Sequence, residues 1–232
     1  MDLAHRSNAH EVMDDDDVSL KDYTRSLHDL AAVNRITMTH APTLRWLSHA
    51  VRDLPCGSDV SVLDVACGEG DLLRAIEQWA RHRGLNVALE GIDLNPRSAI
   101  AAKAATVGSG RITYRTGNVF DFEPQPRPDF IVSSQFTHHL SDADVVRFLT
   151  WQEHYAVRGW FISDLHRHII PYLGFRVLCV LAGWHRIVRL DGTISIARSF
   201  RNSDWVRFLD EAGLKADIRW QFPFRLCVGR LK

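Results

Sequence analysis

Two groups of residues in this chain have types and spacings that could do chemistry. The first is a glycine turn, VLDVACGEGD, residues 62–71. Asp64, Ala66, Cys67, Gly68 and Gly70 follow one another where an apolar run passes into a helical pattern. Glycines there let backbone amides come close to a ligand, with a helix start behind them. Asp93 ends the next apolar run, 23 positions after Gly70, where a carboxylate can accept both hydroxyls of a ribose. The same pairing occurs in dinucleotide folds, so NAD is weighed as a ligand. A dinucleotide turn wants glycine or alanine three residues after its second glycine, and Leu73 stands there. Asp64 and Glu69 would also repel a diphosphate and suit a ligand with an ammonium group.

The second group is histidine. THHL places His138 and His139 after one apolar run, and DLHRH places Asp164, His166 and His168 after another. An imidazole of pKa about 6.5 can take the proton of a phenol of pKa about 10. Hydrogen-bonded packing is the plainer use of such residues. His166 and His168 share one side of an extended chain near Asp164, but no CxxC or HExxH pattern is present. No metal site is expected.

These residues need a frame that brings strand ends together. From residue 60 onward short apolar runs alternate with helical patterns: strands at 60–65, 87–93, 111–117, 128–135 and 160–165, helices at 71–84, 95–108 and 141–159. Asn95 before Pro96, and Ser141 with Asp144, are helix-start signals. Strand–helix–strand repetition with runs this apolar implies an α/β chain whose parallel sheet is covered on both faces. The end differs. After a helix at 202–215, ADIRWQF and FRLCVGRL are separated only by Pro223, a link that permits only an antiparallel hairpin. Ligands of such sheets sit beyond the carboxyl ends of the strands, near where strand order reverses.

Two pieces lie outside the frame. Residues 1–55 form a helical N-terminal cap in this reading, with Tyr23, Leu27, Leu30 and Ala31 at helical spacing and MDDDDV as a solvated charge run. Residues 56–232 form the main domain, with an apolar lid inserted at 166–200. Within it, IIPYLGFRVLCVLAGW (169–184) falls short of the roughly 20 residues that span a bilayer and contains Pro171 and Arg176. A buried or lid helix is expected, with peripheral contact to a membrane or lipid-like substrate as the alternative.

Composition narrows the classes. The 232 residues carry 28 basic and 28 acidic side chains, so the basic excess of a general nucleic-acid binder is missing. Four cysteines form no CxxC pair, which fits a reducing cytoplasm. The N-terminus lacks the apolar stretch of a secretory signal, and a cytoplasmic protein is expected.

With these motifs assembled, the chain resembles the class I S-adenosylmethionine-dependent methyltransferases. Their first motif, acid-x-Gly-x-Gly-x-Gly, is similar to Asp64-Val65-Ala66-Cys67-Gly68-Glu69-Gly70, with Ala66 in place of the first glycine. The ribose acid matches Asp93 in GIDLNP, and the adenine-flanking motif resembles Gly117-Asn118-Val119, with Asn118 where Asp is commoner. DFIVSSQFTHHLSD (129–142) resembles the fourth-strand motif. The resemblance covers residues 60–231 and implies a Rossmann-like seven-stranded sheet ending in the hairpin. It also implies S-adenosylmethionine as cofactor, held by Asp64, Ala66, Cys67, Gly68, Gly70, Asp93, Leu94, Asn118, Val119, Ser134 and Gln135. Related methyltransferases keep a histidine at the place of His139, which makes it the first candidate base and His166 the second.

A narrower resemblance runs through residues 11–36 and 164–201, similar to bacterial methyltransferases of phenolic-lipid, polyketide or quinone pathways. It implies an aromatic or quinol-like small acceptor, met by Arg35, His138, Tyr172, Phe175 and Trp184, and O-methylation of its hydroxyl. C-methylation, an RNA or protein acceptor, and a non-catalytic S-adenosylmethionine-binding protein stay open beside it. The oligomeric state is not legible.

Overall fold

The computed structural model of the chain describes residues 3–15, 17–108 and 110–232. The run VSVLDV is the heart of β1 (Asp59–Val65), buried at five of its seven positions. It pairs in parallel with β2 (Asn86–Asp93) on one side and β4 (Phe130–Ser134) on the other. Beyond β2 lies β3 (Ile112–Thr116), and beyond β4 lies β5 (Gly159–Leu165). β6 (Asp217–Gln221) and β7 (Arg225–Leu231) close the edge as the hairpin, β7 running antiparallel to both β5 and β6. The order is β3-β2-β1-β4-β5-β7-β6. This is the seven-stranded Rossmann-like α/β sheet expected of the sequence. Strand order reverses between β1 and β4, so their carboxyl ends diverge over a crevice.

The helices start and stop where local chemistry dictates. α3 (Asp71–Arg83) ends at Gly84, whose φ of 66° few other residues adopt without cost. Asn95 caps α4 (Pro96–Ala105) by accepting from the Arg97 amide, and Ser141 caps α5 (Asp142–Tyr155) by accepting from the Asp144 amide. Both helices are shorter than their sequence pattern. α5 ends at Tyr155 because Gly159 already pairs with Phe130 and Leu231 in the sheet.

One face of the sheet is covered by α5 and α8 (Asn202–Glu211), through Phe148, Trp205 and Phe208. The other is covered by α3 and α2 (Ala41–Ala50), through Ile76 and Leu47. Trp46 stacks on Phe161 with centroids 5.2 Å apart, so α2 belongs to the sheet's core although the sequence suggested a cap over it.

α1 (Leu20–Ile36) lies across the top, packed on α4 and α7. Its Tyr23 hydroxyl meets Ser98 Oγ at 2.7 Å. The insert is a helix pair, α6 (Ile169–Leu181) and α7 (Arg186–Arg198). Cys179, Trp184 and Val188 close with Val33 of α1 into a small apolar cluster. The outward face of α6 exposes Ile169, Ile170, Leu173, Val177, Val180 and Leu181. Among the described residues no helix is long and apolar enough to cross a membrane. Of the expected charge run, Asp15 and Asp17 are exposed; Asp16 and the Asp14 side chain lie outside the described residues.

Candidate active site

A cavity of about 1120 Å³ opens over the carboxyl ends of β1, β2 and β4. Asp64, Ala66, Cys67, Gly68, Asp93, Leu94, Asn118, Val119, Ser134, Gln135 and His139 all line it. The turn after β1 is held by β2: the amides of Ala66 and Cys67 donate to the Ile92 carbonyl at 2.8 and 3.3 Å. The Gly68 amide donates to Asp93 Oδ2 at 2.9 Å, and the Asn95 amide donates to Asp93 Oδ1 at 2.9 Å. Asp93 thus fixes the glycine turn and still has lone pairs for a ligand, since a carboxylate accepts about four bonds. Ala66, in place of the family's glycine, holds φ at 59°. That backbone conformation is left-handed and strained for any residue with a Cβ.

Carboxylates dominate one wall. Burial lifts the Asp64 carboxyl well above its ordinary range, and the charges of Asp71 and Asp93 push the same way. Burial also raises Glu69, opposed by its ion pair with Arg74 at 3.2 Å, and raises Asp93 against its two amide donors. Asp71 goes the other way. Burial works against its charge, but His40 Nε2 at 3.0 Å and the Asn34 amide donating at 2.8 Å outweigh it and lower its pKa. Asn34 also accepts from Gln135 Nε2 at 2.7 Å, so one α1 side chain ties the start of α3 to the end of β4.

On the opposite wall, His139 faces the cavity with a side chain 30% exposed, and His138 lies behind it, 2% exposed. The His138 Nδ1 lies 2.7 Å from Asp164 Oδ1, and its own backbone amide donates to Asp164 Oδ2 at 3.0 Å. Asp164 is fully buried. Burial opposes its charge, yet His138, Thr137 and the Leu165 amide lower its pKa to about 2. Glu11 reaches in from the N-terminal segment, with Oε1 3.6 Å from His138 Nε2 and Oε2 3.8 Å from His139 Nε2. The next residues are pinned by Asp191 of α7, whose carboxylate accepts from the amides of Val12 and Met13, both at 2.9 Å.

Several residues singled out in the sequence stand elsewhere. Gly70 does not line the cavity. It caps α3 at φ 73° beneath Tyr114, whose hydroxyl would lie 2.1 Å from any added Cβ. His138 is one layer behind the wall. His166 lines a second, separate cleft with Arg167, His168, Arg201 and the first residues of α6 and α8. Arg35 is exposed on the last turn of α1. Tyr172, Phe175 and Trp184 are outside the lining too, because α6 turns toward α7 and α1: Phe175 and Trp184 stack at 6.1 Å in the small apolar cluster. The apolar lining of the cavity is formed instead by Tyr23, Leu27, Leu30 and Ala31 of α1 and by Met13 and Val18. No local pattern marks Glu11, which is separated from His138 in the chain by most of the sheet.

A methyltransferase-domain family profile matches residues 62–155, the stretch that carries β1 through α5. That stretch is similar to a methyltransferase domain, and S-adenosylmethionine-dependent methyltransferases share the fold around it. The chain is similar to the ubiquinone biosynthesis O-methyltransferase of Bradyrhizobium sp. (strain ORS 278), 28% identical over 109 residues. That match covers 47% of this chain and 41% of the relative, so it spans less than half of either protein. Solved structures share the fold at low identity. The plantazolicin methyltransferase BpumL, solved with a triazolic desmethylPZN analog and SAH, has a TM-score of 0.65 at 14% identity, covering 92% of this chain and 98% of that one. The magnesium protoporphyrin IX methyltransferase of Synechocystis PCC 6803, with bound SAH, has a TM-score of 0.55 at 16% identity, covering 84% and 82%.

The residues on this cavity fit S-adenosylmethionine. S-adenosylmethionine is a cation at both its ammonium and its sulfonium, and Asp64 is a buried carboxyl whose charge is opposed by burial and by two neighbouring acids. A cation beside it reverses that cost. Ser134 Oγ, also on the cavity, is buried with no partner among the described residues.

Proposed function

We propose that this chain transfers the methyl group of S-adenosylmethionine to a hydroxyl of an aromatic, phenolic or quinol-like small molecule. The observation that carries the reading is that His139 and the glycine turn line one cavity, with an apolar α1 face beside them. Asp64 would take the ammonium end, Asp93 the ribose hydroxyls, and Asn118 and Val119 the adenine. The Asn118 carboxamide oxygen already accepts from the Phe120 amide at 3.1 Å, which fixes its plane and leaves its NH₂ group to donate.

When bound, the cofactor supplies an electrophilic methyl on a sulfonium. The chain's residues do the rest. Tyr23, Leu27 and Leu30 hold a flat apolar acceptor and exclude water, which matters because alignment is the main source of rate in such displacements. His139 accepts the hydroxyl proton, and Glu11 stabilises the imidazolium that forms. The balanced charge and the apolar α1 wall favour a small acceptor over RNA or protein.

The test is the pH dependence of kcat in His139→Ala. A base contributes roughly 10²–10⁴-fold, and the loss should shrink as pH rises and the phenol ionises unaided. A small, pH-independent loss would assign the rate to alignment alone. Mass spectrometry of the product separates an O-methyl ether from a C-methylated ring, and the latter would overturn transfer to oxygen.

A further inference from the structure

Glu11 lies far in the chain from the neighbouring His138 and His139, and the three meet at one point, with Glu11 and His139 on the cavity wall and His138 behind it. One ligating atom from each lies within 4.8 Å of the others. Burial alone does not explain this grouping, because His138 and Glu11 are also oriented from behind. The Asp164 carboxylate sits 2.7 Å from His138 Nδ1, which suits an N–H donated from Nδ1 and leaves Nε2 turned toward Glu11 Oε1. Ser195 Oγ donates to Glu11 Oε1 at 2.9 Å, and Asp191 pins the backbone immediately after Glu11. A carboxylate behind a histidine, with a hydroxyl on the ligating carboxylate, is the outer shell that metal sites use to fix tautomer and geometry.

We propose that Glu11, His138 and His139 bind a divalent first-row transition cation of the zinc type, with its open position facing the cavity. Two imidazoles and one carboxylate are a ligand set for such cations, which then keep a site for water or substrate. Tetrahedral coordination at bond lengths near 2.1 Å wants ligand atoms about 3.3 Å apart. Glu11 is 3.6 Å from His138 Nε2 and 3.8 Å from His139 Nε2. Small side-chain rotations of Glu11 and of the partly exposed His139 would bring both distances to that spacing while His138 stays in place. Resting on the hydroxyl-transfer reading, the inference adds what the acceptor meets: its oxygen binds the cation as the O–H proton passes to bulk water. With the cation bound His139 serves as a ligand, so the cation takes over the activation of the hydroxyl that the transfer reading gives to His139.

Calorimetry on the chelator-stripped full chain, titrated with Zn²⁺, tests this without any acceptor, and Co²⁺ reports coordination through its visible absorption. One equivalent should bind. Glu11→Gln and His139→Ala should each weaken binding at least 100-fold, and Asp164→Asn, acting through His138, about 10–100-fold. Retained S-adenosylmethionine binding would show that the variants are folded, and Glu11→Asp should restore part of the affinity. Absence of stoichiometric binding, or binding that survives both Glu11→Gln and His139→Ala, overturns the site and leaves the transfer reading standing. Stoichiometric binding by a chain that methylates no phenol supports the site and sinks that reading instead.

Discussion

The Gly68 amide donates to Asp93 Oδ2 across 2.9 Å, so the end of β2 holds the turn that follows β1. The acid matched to the ribose therefore also shapes the glycine turn beside it. Asp93→Ala should weaken S-adenosylmethionine binding by about 1.5–3 kcal/mol, the loss expected for charge-assisted hydrogen bonds. It should also loosen the turn, read as faster amide exchange at Gly68. Weakened binding with Gly68 exchange unchanged would separate the two roles.

Ala66 at φ 59° carries strain that glycine would not. A left-handed residue with a Cβ costs roughly 1–2 kcal/mol, and glycine gives back about 0.4–1 kcal/mol through the unfolded chain. Ala66→Gly should raise the unfolding free energy by up to about 1 kcal/mol, and Ala66→Val should lower it. Denaturant titration of the three proteins checks the order.

Asp64 links stability to cofactor binding. Its folded pKa is raised, so the free protein gains from a protonated Asp64 below the unfolded pKa and loses that gain as pH rises through the folded value. A cationic ligand wants the ionised form. Affinity should therefore fall as pH drops through the raised pKa, with Glu69 and Asp93, also raised, contributing in the same direction. Asp64→Asn should increase the free protein's Tm by a few degrees, weaken cofactor binding and flatten its pH dependence. A lower Tm in that variant would contradict the burial argument.

Trp184 and Phe175 make a different prediction from the one their sequence suggests. They pack under α1 and outside the cavity lining, so Trp184→Ala should cost about 3–5 kcal/mol of stability. Acceptor and cofactor KM should then move together, through α1 and Asn34. A rise in acceptor KM alone would place these rings back on the acceptor.

The sheet was legible because its strands are apolar and its turns punctuated: Asp64, Gly68 and Asp93 fall on the same strand ends in pattern and in structure. The insert was not. Its apolar composition marks a helix, but which face it buries depends on α1, and six large aliphatic side chains of α6 are exposed. Gly70 reads as a ligand glycine, yet its positive φ and the Tyr114 ring above it give it a packing role. Glu11 carried no local signal, since an acid in an irregular segment gains meaning only from the histidines that the fold brings to it.

The central claim is that the cavity over β1, β2 and β4 binds S-adenosylmethionine. Calorimetric titration of the purified chain tests it most directly, with NAD as the competing ligand. The account predicts micromolar affinity for S-adenosylmethionine and its demethylated product, roughly −8 kcal/mol, and a marked loss in Asp93→Ala. No heat of binding, or tighter binding of NAD, would contradict it.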